Sequence, residues 1–200
     1  SITNCSVIGD NTSFVTGENA GGLIGYILGN QNLSKCYSKI SVTGTNNLGG
    51  LIGYYNSTSS IISNSYSDSS ITANSSVSKV GGLVGEFKGT LTNSYASGSI
   101  FLNCEKASYV GVTIGFLDNT STVSNTFSSV GISVADGYAP TSSDHYAPSD
   151  VNIPLWWLKN SNYIFNTSGT NYVSEGYKES LNWDSDVWDN LTEGALPTLK

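Results

Sequence analysis

Few residues of this 200-residue chain combine types and spacing that could carry out chemistry. The single histidine, His145, follows Ser143 and Asp144, and either a Ser-His-Asp triad or a zinc site would have to use it. A triad of the hydrolase type places its serine in a Gly-x-Ser-x-Gly turn, and a zinc site needs several histidine or cysteine ligands. The sequence has neither pattern. His145 is therefore predicted to be a loop residue, and we predict no catalytic residues and no metal site.

Carboxylates cluster best near the C-terminus, at Asp184, Asp186 and Asp189. Oxygen ligands suit Ca²⁺, but the glycine and the terminal glutamate of an EF-hand loop are missing, so these side chains are predicted to be solvated. The other acids fall at different phases of the repeat described below. They do not form the carboxylate pair that enzymes cleaving polysaccharides use. The chain is predicted not to be an enzyme and to need no cofactor.

The charge pattern argues against several classes of partner. The formal net charge is −7, arginine is absent, and the eight lysines are scattered along the chain. Binding to nucleic acid or to an anionic membrane surface relies on basic patches, so we expect neither partner. The longest apolar runs, residues 80–84 and 153–158, are too short to cross a bilayer, so membrane insertion is not expected.

The tripeptide Asn-x-Ser/Thr, the acceptor signal for N-linked glycans, occurs eight times. Chance in a chain rich in asparagine, serine and threonine explains this number, and so does glycosylation of a secreted protein. Both explanations are compatible with an extracellular or cell-surface location. The candidate glycosylation sites are Asn4, Asn11, Asn32, Asn56, Asn74, Asn119, Asn166 and Asn190.

An internal repeat organises the first two thirds of the chain. The segment Gly-Gly-Leu-Ile-Gly at 21–25 returns at 49–53, then as Gly-Gly-Leu-Val-Gly at 81–85 and in a degraded copy at 111–115. The intervals are 28, 32 and 30 residues. A second motif recurs in phase with this glycine motif. Its copies are Ile-Thr-Asn-Cys-Ser at 2–6, Leu-Ser-Lys-Cys-Tyr at 33–37, Ile-Ser-Asn-Ser-Tyr at 62–66, Leu-Thr-Asn-Ser-Tyr at 91–95 and Val-Ser-Asn-Thr-Phe at 123–127.

Each repeat offers three short strands, the third being the glycine motif, and none can bury its apolar face alone. Stacked repeats can do so, with equivalent strands paired in parallel about 4.8 Å apart. The predicted fold is all-β: a parallel β-solenoid (β-helix) with turns of about 30 residues over residues 1–135. Residues 136–200 are predicted to form a non-repeating, aromatic-rich C-terminal cap region.

Several details follow from this arrangement. The glycines of the glycine motif are predicted to provide backbone bends or left-handed corners.

The sequence does not decide whether Tyr37 faces inwards or outwards, because the alternation of apolar and polar residues around it is broken. Thr43, Thr45 and Thr72 do not fall at one fixed phase, which disfavours the regular threonine ranks of an ice-binding solenoid.

The three cysteines are predicted to form no disulfide within the chain. Cys5 and Cys36 occupy equivalent positions in adjacent turns, where they are predicted to stack as small apolar residues. A disulfide between neighbouring parallel strands has demanding geometry, so none is expected. Cys104 has no counterpart in the other repeats.

The C-terminal region differs in composition from the repeats. All four prolines and all four tryptophans lie there, the latter being Trp156, Trp157, Trp183 and Trp188. The end of a solenoid exposes unpaired strand edges, so these tryptophans are predicted to form a lid over it. The alternative is a platform that stacks against sugars. Trp156 and Trp157 are adjacent, so on a strand only one of them would face such a ligand.

These motifs resemble the GLUG repeat family, whose units contain Gly-Leu-x-Gly as at residues 22–25. The resemblance covers about residues 1–135, and the block from Asn182-Trp183-Asp184 onwards is similar to the usual end of such arrays. Val112 and Thr113 depart from the pattern in the last repeat. The resemblance implies a β-solenoid scaffold without catalytic residues. It also implies a setting in large secreted or surface proteins, such as bacterial adhesin-like proteins and the non-catalytic regions of immunoglobulin A peptidases.

The predicted function is that of a non-enzymatic extracellular protein with a structural or adhesive role. One alternative is a carbohydrate-binding adhesion module that uses the C-terminal tryptophans or exposed ranks of Tyr37, Tyr66 and Tyr95, with glycans as ligands. Another is a non-catalytic segment of a larger surface peptidase. The chain lacks methionine and opens inside the second motif. The expected partner of its first turn is a preceding domain or a second copy stacked head to tail, which would give filaments.

Overall fold

The computed structural model describes residues 1–10, 12–74, 77–104, 107–135, 144–145, 183–189 and 196–200. Within these ranges every regular element is a β-strand. Seven strands form sheet I: β1 (Ile2–Thr3), β4 (Ile24–Leu28), β5 (Leu33–Ser34), β8 (Ile52–Ser63), β11 (Val84–Thr92), β14 (Ile114–Leu117) and β15 (Thr122–Ser124). Eleven strands form sheet II: β2 (Ser6–Ile8), β3 (Phe14–Gly21), β6 (Tyr37–Lys39), β7 (Ser41–Gly49), β9 (Tyr66–Ala73), β10 (Val77–Gly81), β12 (Tyr95–Leu102), β13 (Ala107–Gly111), β16 (Phe127–Ser128), β17 (Gly131–Val134) and β18 (Asp144–His145). The last two strands, β19 (Trp188–Asp189) and β20 (Thr198–Leu199), pair with each other in antiparallel fashion.

Equivalent strands of successive turns pair in parallel. A set of residues that pair in register from turn to turn is called a column below. One column of sheet I consists of Ile2, Leu33, Ile62, Leu91 and Val123. The chain thus winds as a β-solenoid of about four turns, with equivalent positions roughly 29 residues apart, which confirms the predicted fold class.

The core is a narrow strip of aliphatic side chains between the two sheets. Its column in sheet II consists of Val15, Val42, Ile71, Ile100 and Ile132. β-Branched side chains suit such a position because they pack well on a pleated, buried surface. Each turn covers the apolar strip of its neighbours, so the stability of one turn depends on the adjacent turns.

A residue other than glycine adopts the left-handed backbone conformation once per turn, in the second motif. These residues are Asn4, Lys35, Asn64, Asn93 and Asn125, and their φ values lie between 47° and 55°. Asparagine visits this region more readily than most residues because its short polar side chain can bond to the local backbone. The repeated asparagine of the second motif is therefore explained by the shape of the corner.

The exception in this column gives a test. Lys35 is exposed and has a φ of 53°, a conformation that costs a long side chain more than it costs asparagine. We expect Lys35→Asn to raise the free energy of unfolding by about 0.5–1 kcal/mol. Urea denaturation followed by circular dichroism measures this change. The reverse substitution, Asn93→Lys, should destabilise by a similar amount. A loss of stability in both variants would contradict the explanation.

The glycine motif forms an arch that points into the solenoid. The carbonyl oxygen of Gly50 accepts a hydrogen bond of 2.6 Å from Ser38 Oγ, and a Cβ at residue 50 would overlap Ser67 Oγ and Gly82 O. Ser38 and Ser67 are buried side chains of sheet II. The tip of the arch therefore reaches across the core to β6 and β9 of sheet II, and only a residue without a side chain leaves enough room there.

Of the two conformations predicted for these glycines, a backbone bend or a left-handed corner, the left-handed one does not occur. Among the described residues, positive φ values at glycine occur at Gly29, Gly89 and Gly98, and none of these belongs to the arch. The glycines do bend the chain, as predicted. They are needed because the backbone of the arch approaches neighbouring backbone closely.

Cys5 and Cys36 lie in neighbouring turns of one column, as predicted, and Ser65, Ser94 and Thr126 continue it. Ser65 Oγ accepts a hydrogen bond of 3.2 Å from the backbone N of Cys36, and Ser94 Oγ accepts one of 3.2 Å from the N of Ser65. Burial raises the pKa of the Cys36 thiol, which favours its protonated form. This column links the corners of adjacent turns.

A membrane-spanning helix would need a long apolar stretch. Among the described residues no helix of that length and hydropathy occurs.

Candidate functional site

Two rows of side chains meet along the solenoid beside the inward-pointing arch. Because the arch points inwards, the strand before it and the strand after it turn their outer faces towards each other. We call this surface the arch cleft. One wall consists of Asn19, Asn47, Lys79 and Tyr109, and the other of Tyr26, Tyr54, Glu86 and Phe116.

The centre of the arch cleft holds an ion pair. Lys79 Nζ lies 2.5 Å from Glu86 Oε2, and only 21% and 18% of the two side chains are exposed. The same Nζ lies 5.1 Å from the centre of the Phe116 ring, within the range of a cation–π contact. Tyr109 packs against the edge of Phe116. The pair is thus largely shielded from water by aromatic side chains.

Two asparagine amides lie next to this ion pair. Asn47 Nδ2 donates a hydrogen bond of 2.7 Å to Asn19 Oδ1. The residue that follows Asn47 in this column is Lys79, so the amide ladder ends there. Asn47 is only 5% exposed, and its Oδ1 is buried without a hydrogen-bond partner. Such an orphaned acceptor is uncommon in folded proteins and needs an explanation.

The open end of the arch cleft is aromatic. The rings of Tyr26 and Tyr54 stack with their centres 4.7 Å apart, and Tyr26 is 49% exposed. Asn56 Nδ2 donates a hydrogen bond of 3.1 Å to the hydroxyl oxygen of Tyr54. Burial raises the pKa of Tyr54, so this hydroxyl stays neutral and able to donate. This end of the arch cleft thus combines one exposed aromatic ring, Tyr26, with the Tyr54 hydroxyl and the Asn56 amide.

A second aromatic surface lies on the outer face of sheet II. Tyr37, Tyr66 and Tyr95 stack in register with ring centres 4.8 and 4.9 Å apart, and we call them the tyrosine column. They form a cluster separate from the core, together with Trp183 and Trp188. Tyr37 therefore faces outwards, which answers the question that its broken alternation left open.

The end of the chain covers the tyrosine column. Residues 183–189 and 196–200, called the C-terminal strap, place Trp188 against Tyr66 and Tyr95. Tyr95 OH donates a buried hydrogen bond of 2.6 Å to Pro197 O. The two described tryptophans thus pack on the flank of the solenoid rather than as a lid across its last turn. The exposed rank of tyrosines considered for glycan binding is largely covered by the chain itself.

The covered column makes the stability of the protein sensitive to high pH. Burial, with smaller contributions from Tyr37 and Asp68, raises the pKa of Tyr66 to about 12 from the usual 10.0. The folded protein therefore holds this proton more tightly than the unfolded chain does. The resulting stability is complete below pH 10.0 and is lost as the pH rises through about 12.

We expect Tyr66→Phe to reduce this alkaline loss of stability, as measured by urea midpoints at several pH values. Part of the loss should persist, because burial also raises the pKa of Tyr54 and Tyr55. An unchanged alkaline transition in Tyr66→Phe would show that this residue does not control it.

The candidate glycosylation sites differ in their surroundings. Asn4, Asn32, Asn74 and Asn119 are exposed, whereas Asn56 is half-buried within β8. Asn11, Asn166 and Asn190 lie outside the described residues, as do the proposed sugar-stacking residues Trp156 and Trp157. Their predicted roles stay predictions.

Two predictions on chemistry can be compared with the structure. His145 is not in a loop, because its backbone belongs to β18, where it pairs with Val110 of β13. β18 therefore extends the parallel pairing of sheet II beyond the last clear repeat, a pairing that the sequence pattern does not predict.

The C-terminal aspartates face solvent, as predicted. Asp184 Oδ1 accepts a hydrogen bond of 2.8 Å from Asp186 N, and Asp189 Oδ1 lies 3.7 Å from Lys200 Nζ. Within the described ranges, no three His, Cys, Asp or Glu residues are grouped as a metal site would require.

Thr43 and Thr72 do share one phase, contrary to the prediction, whereas Thr45 does not. Thr16, Thr43 and Thr72 form one column on the outer face of sheet II, and the rank ends at Phe101. A shift in register between Gly17 and Asn19 makes the interval between turns uneven, which hid this column in the sequence.

The residues of the arch cleft were missed in the sequence. They could have been found by aligning the repeats on the glycine motif. One wall lies two residues before the first glycine and the other lies one residue after the third, as at Lys79 and Glu86. Their contact across the arch could not be read from this alignment, because it depends on the arch pointing inwards.

Comparisons with known proteins give no match to this chain among family models, curated proteins or solved structures. The resemblance to GLUG repeats stays a prediction.

Proposed function

We propose that this chain is a non-enzymatic scaffold of the cell exterior, a structural or adhesive repeat unit. The observation that carries the proposal is that side chains link each turn to the next along the solenoid. The tyrosine column stacks through three turns, and Asn103 Nδ2 donates a hydrogen bond of 3.2 Å to Asn74 Oδ1. Such ladders make a stack of turns stiff, which suits a spacer or a display surface.

An apolar surface on the first turn supports self-association as part of this role. Ile8, Phe14, Tyr26 and Leu28 are between 49% and 66% exposed. In the next turn the positions of Ile8, Phe14 and Leu28 hold Lys39, Ser41 and Asn56. Large exposed apolar side chains concentrated in one turn are a feature that protein–protein contact sites share.

Electron microscopy and sedimentation of the untagged protein test this proposal. We expect filaments in which each subunit adds about 20 Å or more along the axis, since four turns rise by about 4.8 Å each. The double variant Ile8→Lys and Phe14→Ser gives the first turn the residues that stand at these positions in the second turn. It should abolish self-association. Ile61→Lys changes an exposed apolar residue elsewhere and should not. Separate short particles, with a wild-type monomer at every concentration, would contradict self-association.

A second candidate function is binding of carbohydrate. The exposed ring of Tyr26, stacked on the half-buried Tyr54, favours it, together with the nearby Asn56 amide. A glycan array should then give a signal that Tyr26→Ala removes and that Ser99→Ala, on the exposed face of sheet II, leaves intact. A signal lost in Trp156→Ala or Trp157→Ala instead would move the site to those residues. No signal for the wild-type protein would rule out this second candidate.

The extracellular location is part of the proposal. The exposed positions of Asn4, Asn32, Asn74 and Asn119 support it, because glycans need solvent-facing asparagines. Secretion from a eukaryotic cell, followed by glycosidase treatment and mass spectrometry, shows whether these positions accept glycans. An unmodified secreted protein would remove this support, though not the location itself.

A further inference from the structure

Lys79 and Asn47 are direct neighbours in adjacent strands. Lys79 of β10 pairs with Asn47 of β7, and the next two residue pairs, Val80 with Leu48 and Gly81 with Gly49, hold the register. Parallel strands lie about 4.8 Å apart, a distance that the four-carbon side chain of lysine can span. Both side chains lie on the same wall of the arch cleft.

The polar groups at this point are poorly satisfied. Asn47 Oδ1 is buried without a partner, and the charges of Lys79 and Glu86 are both largely removed from water. Withdrawal of an ion pair from water carries a desolvation penalty, and an orphaned buried acceptor carries another. One chemical change would relieve both.

We propose that Lys79 and Asn47 become joined by an intramolecular amide bond, with Glu86 as the proton carrier. Glu86 takes a proton from the Lys79 ammonium, to which it is already hydrogen-bonded. A rotation of the lysine side chain then brings the neutral Nζ to Asn47 Cγ. Glu86 is placed to act as a general base because it contacts the nitrogen that must lose the proton.

The atoms and charges of this step balance. The Nζ–Cγ bond forms, the Cγ–Nδ2 bond breaks, and ammonia leaves. Of the three protons on the lysine ammonium, one stays on the new amide nitrogen, one leaves with the ammonia, and one ends on Glu86. No oxidant, reductant or other reactant is needed.

The product removes both unfavourable features, the desolvated ion pair and the unpaired Oδ1 of Asn47. The positive charge of Lys79 disappears, and protonated Glu86 can donate a hydrogen bond to the carbonyl oxygen of Asn47. Phe116 and Tyr109 shield the site from water that would compete with the amine. The bond would tie the second turn to the third, a covalent counterpart of the ladders on which the proposed scaffold role rests.

Mass spectrometry of the intact folded chain tests this proposal. The expected mass is lower than the sequence mass by one ammonia, and proteolytic mapping should give a branched peptide that joins residues 47 and 79. Lys79→Arg keeps the charge but cannot form the bond, and Glu86→Gln removes the proton carrier. Both should show no loss of ammonia at this site, whereas the control Glu18→Gln, on the exposed part of β3, should retain it.

A wild-type chain that is folded by circular dichroism and has the unmodified mass would overturn the proposal. A branched peptide that persists in Lys79→Arg would also overturn it, because the link would then involve another residue. If a variant does not fold, the wild-type mass and peptide map still decide the matter. The proposed function would survive a negative result, since the hydrogen-bonded ladders do not depend on the bond.

Discussion

Alanine at position 49 is expected to lower the free energy of unfolding by about 3 kcal/mol, the upper part of the range for an overpacked core. A Cβ on Gly49 would overlap the carbonyl oxygen of Ile52 and would lie 2.7 Å from the backbone N of Gly85 in the next turn. Both neighbours are backbone atoms, so no side chain can move aside to make room. The arch would have to open, and the contact of its tip with sheet II would be lost.

The matched control is Gly131→Ala. Gly131 also lies at the end of a strand, but a Cβ there would have no atom within 4 Å, so we expect a change of at most about 0.5 kcal/mol. Urea unfolding followed by circular dichroism measures both variants. Equal stability of Gly49→Ala and Gly131→Ala would show that the arch does not pack as closely as described.

Removal of the Trp188 side chain is expected to release the C-terminal strap while the solenoid persists. Trp188 is 1% exposed, contacts Tyr66 and Tyr95, and belongs to the outer cluster rather than to the core. Loss of a buried tryptophan side chain costs about 3–5 kcal/mol, which few contacts of the short strap can offset. We expect Trp188→Ala to give faster hydrogen exchange at residues 183–189 and 196–200, with little change in the strand signal of circular dichroism.

Ser185→Ala is the control for this prediction, because Ser185 is exposed in the same strap. Its exchange rates should match those of the wild type. If Trp188→Ala unfolds the solenoid as well, the tyrosine column is part of its stability core. If the strap of Trp188→Ala stays protected from hydrogen exchange, Trp183 or the hydrogen bond from Tyr95 to Pro197 is enough to hold it in place.

The sequence alone determined the fold, its repeat and the columns of the core. Two motifs with one period put residues of the same type at the same phase of each turn, and in a parallel stack the same phase means direct contact. That is why the repeat by itself assigns Ile62 and Leu91, or Cys5 and Cys36, to neighbouring positions.

Only the tertiary structure decided which way the chain turns at each corner. The sequence places glycine in the arch and asparagine in the second motif, but it does not say which of them is left-handed, since both tolerate that conformation. The arch points inwards because the carbonyl of Gly50 finds a buried donor in Ser38. This direction brings Lys79 to Glu86, and no spacing in the sequence encodes that contact.

The position of the C-terminal strap could not be predicted from the sequence either. Trp183 and Trp188 could have covered the end of the solenoid or its flank, since both surfaces offer apolar area. The aligned rings of Tyr66 and Tyr95 form a flat outer surface with a hydroxyl that bonds Pro197, and the strap packs there. Periodicity fixes contacts between residues of equal phase, whereas contacts between different phases depend on the path of the chain in space.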